Sequence, residues 1–81
     1  MRVRYFAWLR ERVGAPEETV ETEAATVAAL VEELRARDEG HALAFADLRA
    51  VRVALDEELS DLDAVLAGVR EVAFFPPMTG G

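Results

Sequence analysis

The chain has 81 residues, 52% of them apolar, with nine basic side chains against sixteen acidic ones and a formal charge of −7. That is one small domain, with no apolar run near the roughly 18 residues of a membrane span and no leader pattern, so it reads as soluble and cytoplasmic. The charge argues against a phosphate-backbone partner and for a basic protein surface; with no cysteine and a single histidine, His41, disulfides, thiolate chemistry and an unaided metal site are excluded.

"MRVRYFAWL" alternates Val3, Tyr5, Ala7 and Leu9 with Arg2, Arg4, Phe6 and Trp8, the period of a strand whose Val3 and Tyr5 face the core. "RERVGAP" predicts a short helical turn broken at Gly14 and Pro16. "EETVETE", with Val20 at its centre, predicts a short strand pairing back on the first. Thr26 caps the next segment, where Val27, Leu30, Val31 and Leu34 form the apolar stripe of a helix over 27–38. Glu33 and Arg37 are spaced to pair on its polar side, and Gly40 suits a left-handed C-terminal cap.

"HALAFADL" predicts a second short helix along one edge of the core. No carboxylate or nucleophile is tied to His41 by spacing, so it reads as a loop or helix-start residue, not a general base. "AVRVAL-DEEL" predicts a strand, a tight turn at Asp56 and Glu57, and a return strand ending at Leu59. "SDLDAVLAG" is a connection laying Leu62, Val65 and Leu66 on the core, and "REVAFF" is the last strand, with Val72 and Phe74 inward and Ala73 and Phe75 outward. Acidic runs such as Glu32-Glu33 and Asp56-Glu57-Glu58 are solvated faces first and steering charges second. The order fits an α+β domain over residues 1–75, one sheet covered on one face by the main helix, followed by an extended tail, 76–81.

The tail closes "FFPPMTGG", whose two aromatics belong to the strand. Pro76 and Pro77 lack N–H groups and cannot continue a ladder, so the strand ends at Phe75 and the chain is directed outward. From Phe75 to Gly81 the reach is roughly 20 Å. Gly80 and Gly81 present the narrowest cross-section a peptide can have, at an entropic cost of about 0.5–1 kcal/mol each relative to Ala. The dipeptide alone fits a frayed end as well as a threaded one; "FFPP" and the β-rich domain favour threading. Adenylation of the Gly81 carboxylate followed by sulfide attack gives a thiocarboxylate, a nucleophilic sulfur that needs no cysteine.

"YFAWLRERVG", the amphipathic helix, "VALDEEL" and "EVAFFPPMTGG" together resemble the family of sulfur-carrying small subunits of molybdopterin synthase, ubiquitin-like β-grasp proteins with a flexible C-terminal tail, and the resemblance runs the length of the chain. It implies that an E1-like adenylyltransferase using ATP and magnesium activates Gly81, that a desulfurase- or rhodanese-type donor converts it to a thiocarboxylate, and that Pro76, Pro77, Met78, Thr79 and Gly80 thread it into the large subunit. There the sulfur passes to cyclic pyranopterin monophosphate, and the catalytic groups are the large subunit's. This chain itself binds no cofactor or metal and is not an enzyme alone. Phe6, Leu59 and Phe75 match the family's contact surface; for Leu59 a core role fits the sequence equally. The chain departs from the family pattern in having Asp56 where Asn is frequent and "GVRE" at Gly68 to Glu71 where a Gly-Asp-Glu turn is frequent. Rival readings are sulfur carriage toward thiamine or another thiolated product, protein conjugation through Gly81, and an inert adaptor. Every basic residue is Arg, so no internal lysine is available for polymeric isopeptide linkage.

Overall fold

The computed structural model describes residues 1–77. In chain order these form β1 (Arg2–Tyr5), α1 (Ala7–Val13), β2 (Glu17–Thr19), α2 (Val27–Arg35), α3 (Glu39–Ala44), a 3-10 turn at Leu48–Ala50, β3 (Arg52–Leu55), β4 (Glu58–Ser60) and β5 (Glu71–Phe75). The five strands make one sheet in the order β2-β1-β5-β3-β4. β5 runs parallel to β1 and antiparallel to β3, while β1–β2 and β3–β4 are antiparallel hairpins. Two hairpins joined through a central strand that comes last in chain order among the described elements, with a helix on one face, constitute the ubiquitin-like β-grasp fold.

Strand parity places the core. Val3, Tyr5, Val53, Val72 and Phe74 are buried on one face, and Val3↔Val72, Tyr5↔Phe74 and Val53↔Phe74 are register partners. The stripe of α2, Val27, Leu30, Val31 and Leu34, joins them in a single cluster with Phe45. Phe74 lies edge-on to Phe45 at 4.9 Å and stacked on Tyr5 at 6.2 Å. Each such side chain contributes about 1.5–3 kcal/mol on leaving water.

Helix α2 starts as its sequence dictates. Its first four N–H groups have no partner within a helix. Here Val27 N donates to Ala64 O, Ala28 N to Leu62 O and Ala29 N to the Thr26 hydroxyl, while Leu30 N makes the first helical bond, to Thr26 O. The connection 61–68 thus serves as part of the cap, and Leu66 N returns a bond to Ala25 O at 2.9 Å.

Four expectations are corrected. In the connection 61–68, Leu62 and Leu66 pack on the core, but Val65 is 63% exposed, because the backbone there bridges to Thr26 and turns its side chain to solvent. β1 ends at Tyr5; the chain turns at Ala7, whose φ is 53°, and Ala7–Val13 is helical. Leu9 is still buried, but as the inner residue of a helix, since alternation and helical spacing both select that position. α2 stops at Arg35, capped by Ala36 in the right-handed region, not by Gly40. Asp38 starts α3 by accepting from His41 N at 2.8 Å, which takes Gly40 inside the new helix. The glycine is needed there for a different reason: a Cβ would lie 2.5 Å from Arg12 O of α1. Finally, Arg37 pairs with Glu18 at 3.4 Å, not with Glu33, whose carboxylate accepts from the Thr22 hydroxyl.

Candidate functional site

The face of the sheet opposite α2 is assembled by register. Leu59, Ala54, Ala73, Arg4 and Glu17 form one row across β4, β3, β5, β1 and β2. The adjacent row pairs Arg52 with Phe75, and Phe6, one residue beyond β1, joins its end by donating its N–H to Phe74 O at 3.1 Å. The three aromatic and aliphatic positions singled out from the sequence therefore share one face. Leu59 is 75% exposed, Phe6 is 38% exposed and Phe75 is half-buried. A core role for Leu59 is excluded by that exposure.

Charges on this face are fixed by one another. Arg2 bridges Glu17 at 2.8 Å and Glu71 at 3.6 Å, and Arg4 reaches Glu71 at 3.8 Å while its guanidinium lies 5.0 Å over the Phe6 ring. Arg52 donates to the carbonyls of Arg49 and Val51. An apolar strip of Phe6, Phe75, Ala73, Ala54 and Leu59 is thus flanked by arginines in a chain of net negative charge, a pattern suited to a protein partner. Arg4, Arg52 and the two alanines were not singled out from sequence. Their signal was strand parity, but only the strand order places β5 between β1 and β3 and brings those positions into one row.

The launch point of the tail is rigidly held. β5 is hydrogen-bonded to a strand on each side, and its entry is fixed by Asp56, whose carboxylate accepts from Arg70 N at 3.1 Å and Glu71 N at 3.0 Å. Asp56 and Glu57 have φ of 48° and 72°, the left-handed pair of a two-residue hairpin turn. The Asp56 side chain thus ties the β3–β4 turn to the start of β5, mainly through one oxygen, an acceptor that Asn also carries. Gly68, at φ 80°, is the residue of the departing "GVRE" segment that needs its lack of a side chain. Pro76 and Pro77 follow Phe75 half-buried at the end of this central strand. Met78, Thr79, Gly80 and Gly81 lie outside the described residues.

Comparison with known proteins extends the likeness over the whole chain. The model of the ThiS family matches residues 3–81. The chain is 38% identical over 81 residues to the molybdopterin synthase sulfur carrier subunit of Escherichia coli (strain K12), covering 100% of this chain and 99% of that one. It is 35% identical, with the same coverage, to the protein of that name from Haemophilus influenzae. Among solved structures it is similar to SAMP1, small archaeal modifier protein 1, from Haloferax volcanii, with a TM-score of 0.74 and 26% identity over 100% of this chain and 98% of that one.

Proposed function

The chain belongs to the ThiS family, and from that premise we propose that it is the sulfur carrier subunit of a molybdopterin synthase, working in the cytoplasm. The observation that carries this reading is the end-to-end match, through the terminal Gly-Gly, to two proteins bearing that name. The reactive group is the Gly81 carboxylate. One of its oxygens attacks the α-phosphorus of ATP on an E1-like adenylyltransferase, releasing pyrophosphate. Sulfide released by a donor enzyme then attacks the acyl carbon, the bond to AMP breaks, a proton is lost and the thiocarboxylate remains. In the large subunit that sulfur is transferred to cyclic pyranopterin monophosphate, toward the dithiolene of molybdopterin. ATP and magnesium belong to the activating partner, so this chain is co-substrate rather than catalyst.

The domain's part is geometric. A central strand tied on both sides gives the tail a fixed origin, and Pro76 and Pro77 direct it away from the sheet. Met78 and Thr79 span to the partner's site, and Gly80 and Gly81 enter it where side chains would not fit. The strip of Phe6, Leu59 and Phe75 docks the domain so that the tail enters in register. Removing Gly81, or adding one residue after it, abolishes molybdopterin formation in an assay with purified large subunit, activating enzyme and sulfur donor; undiminished formation with either variant would sink the proposal.

The likeness to a small archaeal modifier supports a second reading, conjugation of Gly81 to a substrate lysine. A lysine-linked adduct in cells, with no thiocarboxylate form of the chain, favours it over sulfur carriage.

A further inference from the structure

The chain's only histidine is buried between two carboxylates. His41 Nε2 lies 2.7 Å from Glu18 Oε2, and Nδ1 lies 2.8 Å from Asp38 Oδ1, with the His41 side chain 7% exposed. An ionised carboxylate only accepts hydrogen bonds, so both short contacts are bonds only when both ring nitrogens carry protons. A neutral ring would turn a lone pair on one carboxylate: Glu18 is largely shielded, with its side chain 23% exposed, whereas water can reach Asp38, at 59%.

The surrounding groups keep Glu18 ionised and in place. The Tyr5 hydroxyl of β1 donates to the same Glu18 oxygen at 2.6 Å, and Arg37, from the link between α2 and α3, reaches the other at 3.4 Å. Tyr5 also meets the imidazole edge-on at 6.1 Å. From α1 the charged side chain directed at α3 is Arg12, but its guanidinium stacks on Trp8 and donates to Leu43 O; Glu39, on α3 itself, is exposed. The groups facing the ring are therefore Glu18 from β2 and Asp38 from the cap of α3, with Tyr5 and Arg37 behind Glu18.

We propose that His41 is a pH-sensitive clasp: as an imidazolium it fastens the edge strand β2 to α3 through Glu18 and Asp38, and loss of its proton loosens that side of the domain. Among the described residues β2 is only three residues long and pairs with β1 alone, so the bond from its middle residue to α3 adds a tie to a second element beyond that ladder and the Arg2–Glu17 bridge. The electrostatics agree. Burial works against the charged ring, yet the hydrogen bonds and charges of Glu18 and Asp38 outweigh it and raise the His41 pKa above the 6.5 of a free imidazole. Burial likewise pushes Glu18 upward, but the bonds from His41 and Tyr5 prevail and lower it; bonds from the His41 backbone and ring lower Asp38.

The signs define a window. The raised His41 pKa contributes stability that is complete below the unfolded value near 6.5 and is lost as pH rises through the folded value. The lowered carboxylates contribute stability present above their unfolded values of 4.5 and 3.8, lost as pH falls through their folded ones. The test is an NMR titration of the single imidazole, joined to urea unfolding at a series of pH values, on the wild-type chain and Glu18→Gln. The ring is expected to titrate above 6.5, and stability to decline as pH rises through that midpoint. In Glu18→Gln the midpoint moves down toward 6.5 and the decline shrinks. A wild-type ring titrating at or below 6.5, or a decline equally steep in Glu18→Gln, overturns the proposal. Should the variant not fold, the wild-type midpoint alone decides.

Discussion

Among the described glycines, Gly40 has the least spare room. A methyl group there would meet the backbone carbonyl of Arg12 at 2.5 Å, and a backbone atom of a packed helix yields only if the helix moves. Gly40→Ala is therefore expected to destabilise by about 1–3 kcal/mol, the usual penalty of overpacking, despite Ala being the better helix former. The midpoint of urea unfolding reads this directly, and an unchanged or raised midpoint would mean that α1 and α3 can separate at little cost. Leu59 is the opposite case. At 75% exposed, Leu59→Asp should change stability by no more than about 0.5 kcal/mol while weakening binding to the large subunit, measurable by calorimetry against the purified partner. Full affinity in a folded Leu59→Asp chain removes this residue from the proposed interface. The contrast explains what was legible at this scale. Outward aromatics follow from parity alone, whereas the need for glycine at position 40 arises from a helix distant in sequence. His41 is a mixed case: Glu18 is 23 residues away, but Asp38 is three residues away, so the expectation that no carboxylate is tied to His41 by spacing is corrected.

Elements were readable where a pattern was long and unambiguous. The stripe of α2 and the Thr26 cap stand as the sequence predicts, as do the β3–β4 turn and the inward Val72 and Phe74. At the start of the chain Val3, Tyr5 and Leu9 fit a strand, while Leu9 and the partly buried Val13 fit a helix; the change occurs at Phe6 and Ala7, where neither residue type signals a break. α2 ends well before Gly40 because Asp38 starts a new helix, so that glycine is not a terminator. Thr26→Ala should cost about 1 kcal/mol through loss of the bond to Ala29 N, with Thr26→Ser retaining most of it. Thermal unfolding of the two variants checks the cap: equal losses in both would assign the effect to the threonine methyl instead.

At the scale of the whole molecule, the chain's last strand completes its sheet. β5 joins the β1–β2 hairpin to the β3–β4 hairpin, a parallel closure that no local pattern announces; family likeness, not periodicity, supplied it. A chain ending at Arg70 lacks the strand that carries Val72 and Phe74 and should be unfolded, visible as loss of near-ultraviolet circular dichroism. Native-like dichroism in that truncation would show the hairpins to be independently stable. The same topology connects fold to function: the strand that completes the core is also the one that delivers Phe75, Pro76 and Pro77 to the open face, leaving Gly81 as the proposed reactive end. Intact-mass spectrometry of the chain isolated from its own cells tests that claim most directly. The account predicts a population in which one oxygen of the Gly81 carboxylate is replaced by sulfur, and which disappears when the activating enzyme is deleted. A terminus that carries only oxygen, in cells actively making molybdopterin, would contradict it.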